Sequence, residues 1–150
     1  MKNVVGLFGT CGNSSWREDQ VIPALKEANV DYFNPVVSDW NEEAMKNEAE
    51  HAATDKVIML VITGETTGIA SMAESGWIAN LCHLRGQSLV IFLEDMPEEP
   101  QDGSLRINKT RKLLRNYIEQ LKGAGHVHSF ENLQEATDKV ISLMQAPVAS

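Results

Sequence analysis

Val57-Ile58-Met59-Leu60-Val61-Ile62 is apolar at every position. A strand with one wet face alternates apolar and polar residues, so an unbroken aliphatic run is expected where both faces are covered. That is the setting of a central strand in a parallel sheet, with helices packed above and below. Ser88-Leu89-Val90-Ile91-Phe92-Leu93 has the same character, and helical periodicity over 69–84 separates the two runs. The strand–helix–strand order predicts parallel pairing.

The same alternation continues in both directions along the chain. Upstream, 4–8 reads as a strand, followed by a glycine-rich turn and a helix through Val21, Ile22, Leu25 and Ala28. A short strand at 31–34 is stopped by Pro35, and 41–53 is a polar helix. Downstream come a loop over 94–102 rich in Pro and acid, a basic helix, a short strand around Val127 and a final helix over 133–144. Five such units predict one α/β domain across residues 1–150, a doubly wound, flavodoxin- or Rossmann-like five-stranded parallel sheet with helices on both faces. Ligands of such sheets bind outside the carboxyl ends of the strands, where the strand order reverses. The loops over 9–17 and 63–71 are the candidates for that edge.

Composition narrows the function classes. A hydrophobic fraction of 43% and a charged fraction of 23% are ordinary for a globular domain. The net charge of −8 disfavours binding to a nucleic-acid polymer, which needs a basic footprint. No apolar run has the ~20 residues of a membrane span, and the chain enters its first strand without a leader-like segment. A cytoplasmic protein is expected. Cys11 and Cys82 form no C-x-x-C pair, and no His, Cys or carboxylate set has metal-ligand spacing, so neither a metal nor another cofactor is implied. Arg106, Lys109, Arg111, Lys112 and Arg115 fall opposite Ile107, Leu114, Tyr117, Ile118 and Leu121 at helical spacing, which reads as a solvated face.

Gly9-Thr10-Cys11-Gly12-Asn13-Ser14-Ser15, with Trp16 and Arg17, joins the first strand to a helix start. Freed backbone N–H groups and the helix dipole would favour an anion there, and Arg17 would clamp it. In the alternative, Ser14 or Ser15 caps the helix and the glycines serve the turn. Cys11, five residues and Arg17 also match the spacing of low-molecular-weight tyrosine phosphatases, but Glu18 stands where that family has Ser or Thr, and no Asp-Pro dipeptide supplies its acid.

Gly68-Ile69-Ala70-Ser71-Met72-Ala73-Glu74 leads from the central strand into the next helix. Ser71-x-x-Glu74 is a capping-box pattern, in which Glu74 would return a hydrogen bond to the helix start. Equally, the carboxylate stands beside the predicted ligand edge. Trp16 and Trp40 flank the two loops as stacking or packing residues, and Asn34 before Pro35 reads as a base-edge reader or a turn.

Together, Leu7-Phe8-Gly9-Thr10-Cys11-Gly12 with Trp16-Arg17, Asn34-Pro35 with Trp40, and Asp55 opening the strand that leads to Glu74 resemble the nucleoside 2-deoxyribosyltransferase superfamily, in its 2-deoxyribosyltransferase-like branch. The resemblance spans residues 4–93. It implies a small-molecule nucleoside or nucleotide as substrate and Glu74 as a nucleophile at the anomeric carbon, kept ionised by a helix N-terminus, with a glycosyl-enzyme intermediate. It also implies a homodimer or higher homo-oligomer, for which Met72 and Trp77 on the Glu74 helix are suited. Two acids of the pattern are replaced, by Asn47 and Gly68; Glu48, Glu50 and Glu65 are the neighbouring substitutes, and Glu48 and Asp55 join Glu74 as catalytic candidates. A descendant that binds a nucleotide or sugar-nucleotide without chemistry is the alternative in another class.

Overall fold

A computed structural model describes residues 1–100 and 106–147. Eleven elements position the candidate site: β1 (Lys2–Gly9), a π-helical turn (Arg17–Val21) running into α1 (Ile22–Glu27), β2 (Tyr32–Phe33), α2 (Glu42–Thr54), β3 (Asp55–Ile62), α3 (Ile69–Arg85), β4 (Ser88–Leu93), α4 (Ile107–Leu121), β5 (Val127–Phe130) and α5 (Leu133–Gln145). All strands pair in parallel, in the order β2-β1-β3-β4-β5. The order reverses between β1 and β3, which makes their carboxyl ends the switch point of the sheet.

The apolar run Val57 to Ile62 is the middle of this sheet. Val57, Met59 and Val61 point into one core with Val5, Leu7, Leu25, Ala136 and Val140, beneath α1 and α5. Ile58 and Leu60 point into the other with Phe8, Ile78, Ala79, Leu89 and Ile118, beneath α2, α3 and α4. Successive side chains of a strand face opposite ways, so two covered faces require the unbroken apolar sequence. Gly9 ends β1 at φ 126°, and a Cβ there would stand 1.9 Å from the Val61 carbonyl oxygen, so only glycine lets β1 close on β3 at this point.

The observed elements lie within two residues of the expected ones, and the basic helix carries the main correction. Arg106, Lys109 and Lys112 are exposed as expected, but Arg111 is fully buried, and Arg115 is half-buried with bonds to the Leu93 carbonyl and Asp95. Tyr117, assigned to the apolar face, is exposed. Helical periodicity assigns charge to solvent, and it gave no sign that the carbonyls ending β4 and preceding α3 need donors. Residues 101 and 102 of the acidic loop lie outside the described residues. No described helix is long and apolar enough to cross a membrane.

Candidate active site

At the switch point, β1, β2 and α3 surround a cavity of about 550 Å³, a size suited to a small organic ligand. The loop after β1 contributes Gly9, Cys11 and Arg17, with Phe8 from the strand itself. Pro35, Val36, Val37 and Trp40 form an apolar wall after β2, and Glu48 reaches in from α2. The first turns of α3 supply Ala70, Ser71 and Glu74.

The backbone explains why Glu74 stands there. Gly68 is the N-cap of α3, in the left-handed region at φ 60°, and no side chain caps this helix. Ser71 is therefore inside the first turn rather than at the cap, and the capping-box reading fails. Two turns into the helix, Glu74 faces the cavity, and no hydrogen bond to its carboxylate occurs among the described residues.

Electrostatically, Glu74, Glu48 and Arg17 form one group. Burial raises the Glu74 carboxyl above the usual glutamate value, and Arg17 opposes the rise. That reverses the sequence expectation of a carboxylate held ionised by the helix end. Glu48 is raised as well, first by burial and then by the charge of Glu74, again against Arg17. Burial draws the Arg17 guanidinium down to about 10, while Cys11, Glu18, Glu48 and Glu74 support its charge. Two carboxyls whose environments favour the protonated form, in one cavity, are the arrangement from which acid–base pairs are built.

Arg17 itself is turned inward. Its Nε donates to the Leu7 carbonyl (3.0 Å), Nη1 to Thr10 (2.7 Å) and Nη2 to Gly9 (3.2 Å). Of the five N–H groups of a guanidinium, three therefore brace the end of β1. Arg17 is thus a structural brace first, and only two of its N–H groups remain for an anion in the cavity that it lines with Cys11.

Other candidates brace the site without lining it. Trp16 is buried, stacks beneath the Arg17 guanidinium (4.2 Å) and donates its indole N–H to the Thr10 carbonyl (2.9 Å), so it packs rather than stacks on a base. The Thr10 hydroxyl joins Ser14 and Thr63 in a buried cluster (3.1 Å from Thr10 to Thr63, 2.7 Å from Ser14 to Thr63) that ties the loop after β1 to that after β3. Ser14 is thus not a helix cap. Gly12 and Asn13 are exposed and outside the cavity. Asn34 accepts from the Val36 N–H (3.1 Å), which is its turn role.

Asp55 is the largest displacement from expectation. It opens β3 at the amino end of the sheet, away from the cavity, and is fully buried. His51 Nδ1–H donates to both its carboxylate oxygens (2.9 and 3.0 Å), and the His51 ring stacks on Phe33 at 3.8 Å. Asp55 anchors α2 rather than facing a ligand. Glu50 pairs with Lys2 on the surface, and Glu65 is exposed outside the cavity. Sequence reasoning passed over Phe8, Val36, Val37 and Ala70; the apolar pair following Pro35, with no partner in the periodic pattern, was the one signal available.

A family model described as nucleoside 2-deoxyribosyltransferase like matches residues 3–96. The chain belongs to this family. Every residue lining the cavity lies inside the matched stretch of the nucleoside 2-deoxyribosyltransferase-like family, whereas α4, β5 and α5 lie beyond it. A solved structure of a 2-deoxyribosyltransferase from Bacillus psychrosaccharolyticus superimposes with a TM-score of 0.53, at 13% identity over 90% of each chain. At that identity the likeness is one of fold. Among curated proteins, none matches the sequence.

Proposed function

We propose that this protein cleaves or transfers the N-glycosidic bond of a (deoxy)nucleoside, with Glu74 as nucleophile and Glu48 as the acid for the departing base. The observation that carries the reading is the pair of half-buried carboxyls, Glu48 and Glu74, lining one cavity with Arg17 beside them. Ionised Glu74 attacks the anomeric carbon and forms an ester as the bond to the base nitrogen breaks. The proton of Glu48 neutralises the departing base, and a second base or a water then takes the sugar from Glu74. The raised Glu48 carboxyl holds its proton to higher pH than a free glutamate does, and the charge of Arg17 favours the ionised form of Glu74 beside it. Val36, Val37 and Trp40 supply an apolar wall for the base.

Neutral nucleosides fit this cavity better than their 5′-phosphates. Ionised Glu74 repels a phosphate, and Arg17 already donates to three carbonyls. The same reading carries the expectations of a cytoplasmic protein and of a homo-oligomer. The exposed Trp77 with the half-buried Met72 on α3 would be the contact, and light scattering on the eluting peak tests it.

The deciding experiment incubates deoxynucleosides and their 5′-monophosphates with and without an acceptor base and follows free base. Base release that vanishes in Glu74→Ala and survives in Cys11→Ser is the expected result. Absence of base release together with tight nucleotide binding would replace this reading with a binding domain. Hydrolysis of an aryl phosphate lost in Cys11→Ser would replace it with phosphatase chemistry.

A further inference from the structure

Arg111 projects from α4, beyond the stretch matched by the family model, and its side chain is fully buried. Its Nη1 donates to the Glu94 carbonyl at the end of β4. Its Nη2 donates to the carbonyls of Thr66 (2.8 Å) and Thr67 (3.1 Å), the two residues that precede the N-cap of α3. Gly68 lies between this guanidinium and the loop after β1. A Cβ on Gly68 would stand 3.0 Å from Thr10 Cγ2, 3.2 Å from Ile62 Cγ2 and 3.4 Å from Arg111 Nη2. The launch of α3 is therefore fixed by a left-handed glycine, close packing and Arg111, with no capping side chain.

The Nε–H of Arg111 is buried with no partner among the described residues, so the three carbonyl bonds are made at the cost of an unpaired buried donor. What the guanidinium supplies is planar geometry, reaching carbonyls of two loops at once.

We propose that Arg111 is a positioning residue for Glu74, holding the Thr66 and Thr67 carbonyls so that the first turns of α3 enter the cavity at a fixed angle. The inference rests on the reading of Glu74 as nucleophile. Glu74 lies six residues beyond Gly68, about 9 Å along the axis at ~1.5 Å per residue. A change of about 6° in the entry angle would then move its carboxylate by about 1 Å, a displacement that costs on the order of 100-fold in rate.

The test uses the full chain carrying Arg111→Lys and Arg111→Met, with three measurements. In the ligand-free protein, amide exchange over 69–75 should quicken about 10-fold or more while α5 is unchanged, and the NMR titration of the Glu74 carboxyl should shift. Base release should lose about 10- to 100-fold in kcat, with KM changed less than about 3-fold. A folded Arg111→Lys protein with unaltered exchange and unaltered Glu74 titration overturns the proposal. If neither variant folds, wild-type native-state exchange decides it: opening of 69–75 together with α4 supports the coupling, and independent opening refutes it. Should the wild type release no base while exchange and titration respond as stated, the coupling stands and the nucleophile reading falls.

Discussion

Two glycines three residues apart in the loop after β1 should respond very differently to one methyl group. Gly9 and Gly12 both have positive φ, 126° and 72°, so alanine is strained at either. The surroundings separate them. At Gly9 a Cβ would meet Val61 O at 1.9 Å, Val61 C at 2.7 Å and Val61 N at 2.8 Å, all backbone atoms of the central strand. At Gly12 nothing lies within 4 Å. Gly12→Ala should therefore carry only the left-handed penalty, about 1–2 kcal/mol. Gly9→Ala adds a contact that no rotamer can relieve, and it forces β1 off β3 where Gly9 pairs with Val61. A total of about 3–5 kcal/mol follows, a large part of the 5–15 kcal/mol typical of a domain. With a urea m-value of about 2 kcal/mol/M, the midpoint should fall by about 1.5–2.5 M for Gly9→Ala and by about 0.5–1 M for Gly12→Ala. Urea titration followed by circular dichroism measures both. Equal midpoints for the two variants, or a Gly9→Ala protein within 0.3 M or so of wild type, would refute the reasoning, because the β1–β3 closure would then not be what requires glycine.

Base release should follow a bell in pH: activity falls as pH drops through the Glu74 value and as pH rises through the Glu48 value, each raised above that of a free glutamate. Glu48→Gln should remove the alkaline limb and lower kcat by about 100-fold or more, less for bases that leave without protonation. Because the folded state raises Glu74, its contribution to stability is complete below the ordinary carboxylate pKa and is lost as pH rises through the raised value. Glu74→Gln should accordingly melt about 1–3 °C higher than wild type at pH 7 and no higher at pH 4, by scanning calorimetry. Asp55→Asn keeps an acceptor for His51 Nδ1–H and should be nearly neutral. Asp55→Ala strands that donor and should cost about 1–3 kcal/mol in urea unfolding, with base release impaired only in proportion to the folded fraction.

How much of this was legible in the sequence depends on how many physical demands each residue meets. Val57 to Ile62 satisfy one, burial on both faces, and that demand writes itself into composition. Glu74 was locatable because a carboxylate near a helix start after a central strand must fall at the ligand edge of such a sheet. Its local role was not locatable, since a capping box and an unbonded glutamate share the spacing Ser71-x-x-Glu74; a left-handed Gly68 moved the cap three residues upstream. The inward turn of Trp16, Arg17 and Arg111 was not legible, for a common reason. Each is a large polar or amphipathic side chain turned inward to backbone carbonyls, and no sequence pattern records which carbonyls a loop leaves without donors. Asp55 and His51 do stand at the i, i+4 spacing of a helical pair, but nothing in that spacing says at which end of the sheet the pair lies.

The resemblance to deoxyribosyltransferases places an acid where this chain has Gly68, and restoring it makes the sharpest remaining test of how the site is built. Aspartate tolerates the left-handed region better than most residues, so the φ of 60° alone should cost about 1 kcal/mol. The contacts matter more: the new Cβ would press on Thr10 Cγ2 at 3.0 Å and Ile62 Cγ2 at 3.2 Å, beside Arg111 Nη2 at 3.4 Å. A carboxylate there meets a buried guanidinium whose Nε lacks a partner, and it would draw Arg111 away from the Thr66 and Thr67 carbonyls. Gly68→Asp should therefore leave the protein folded, cost about 1–3 kcal/mol in urea, and lower base release rather than raise it. Gly68→Ala has the backbone penalty and the crowding without the charge, so it should lose stability comparably and lose less activity. A Gly68→Asp variant with faster base release would show instead that the site lacks an acid at this position and that Glu48 does not fill the role.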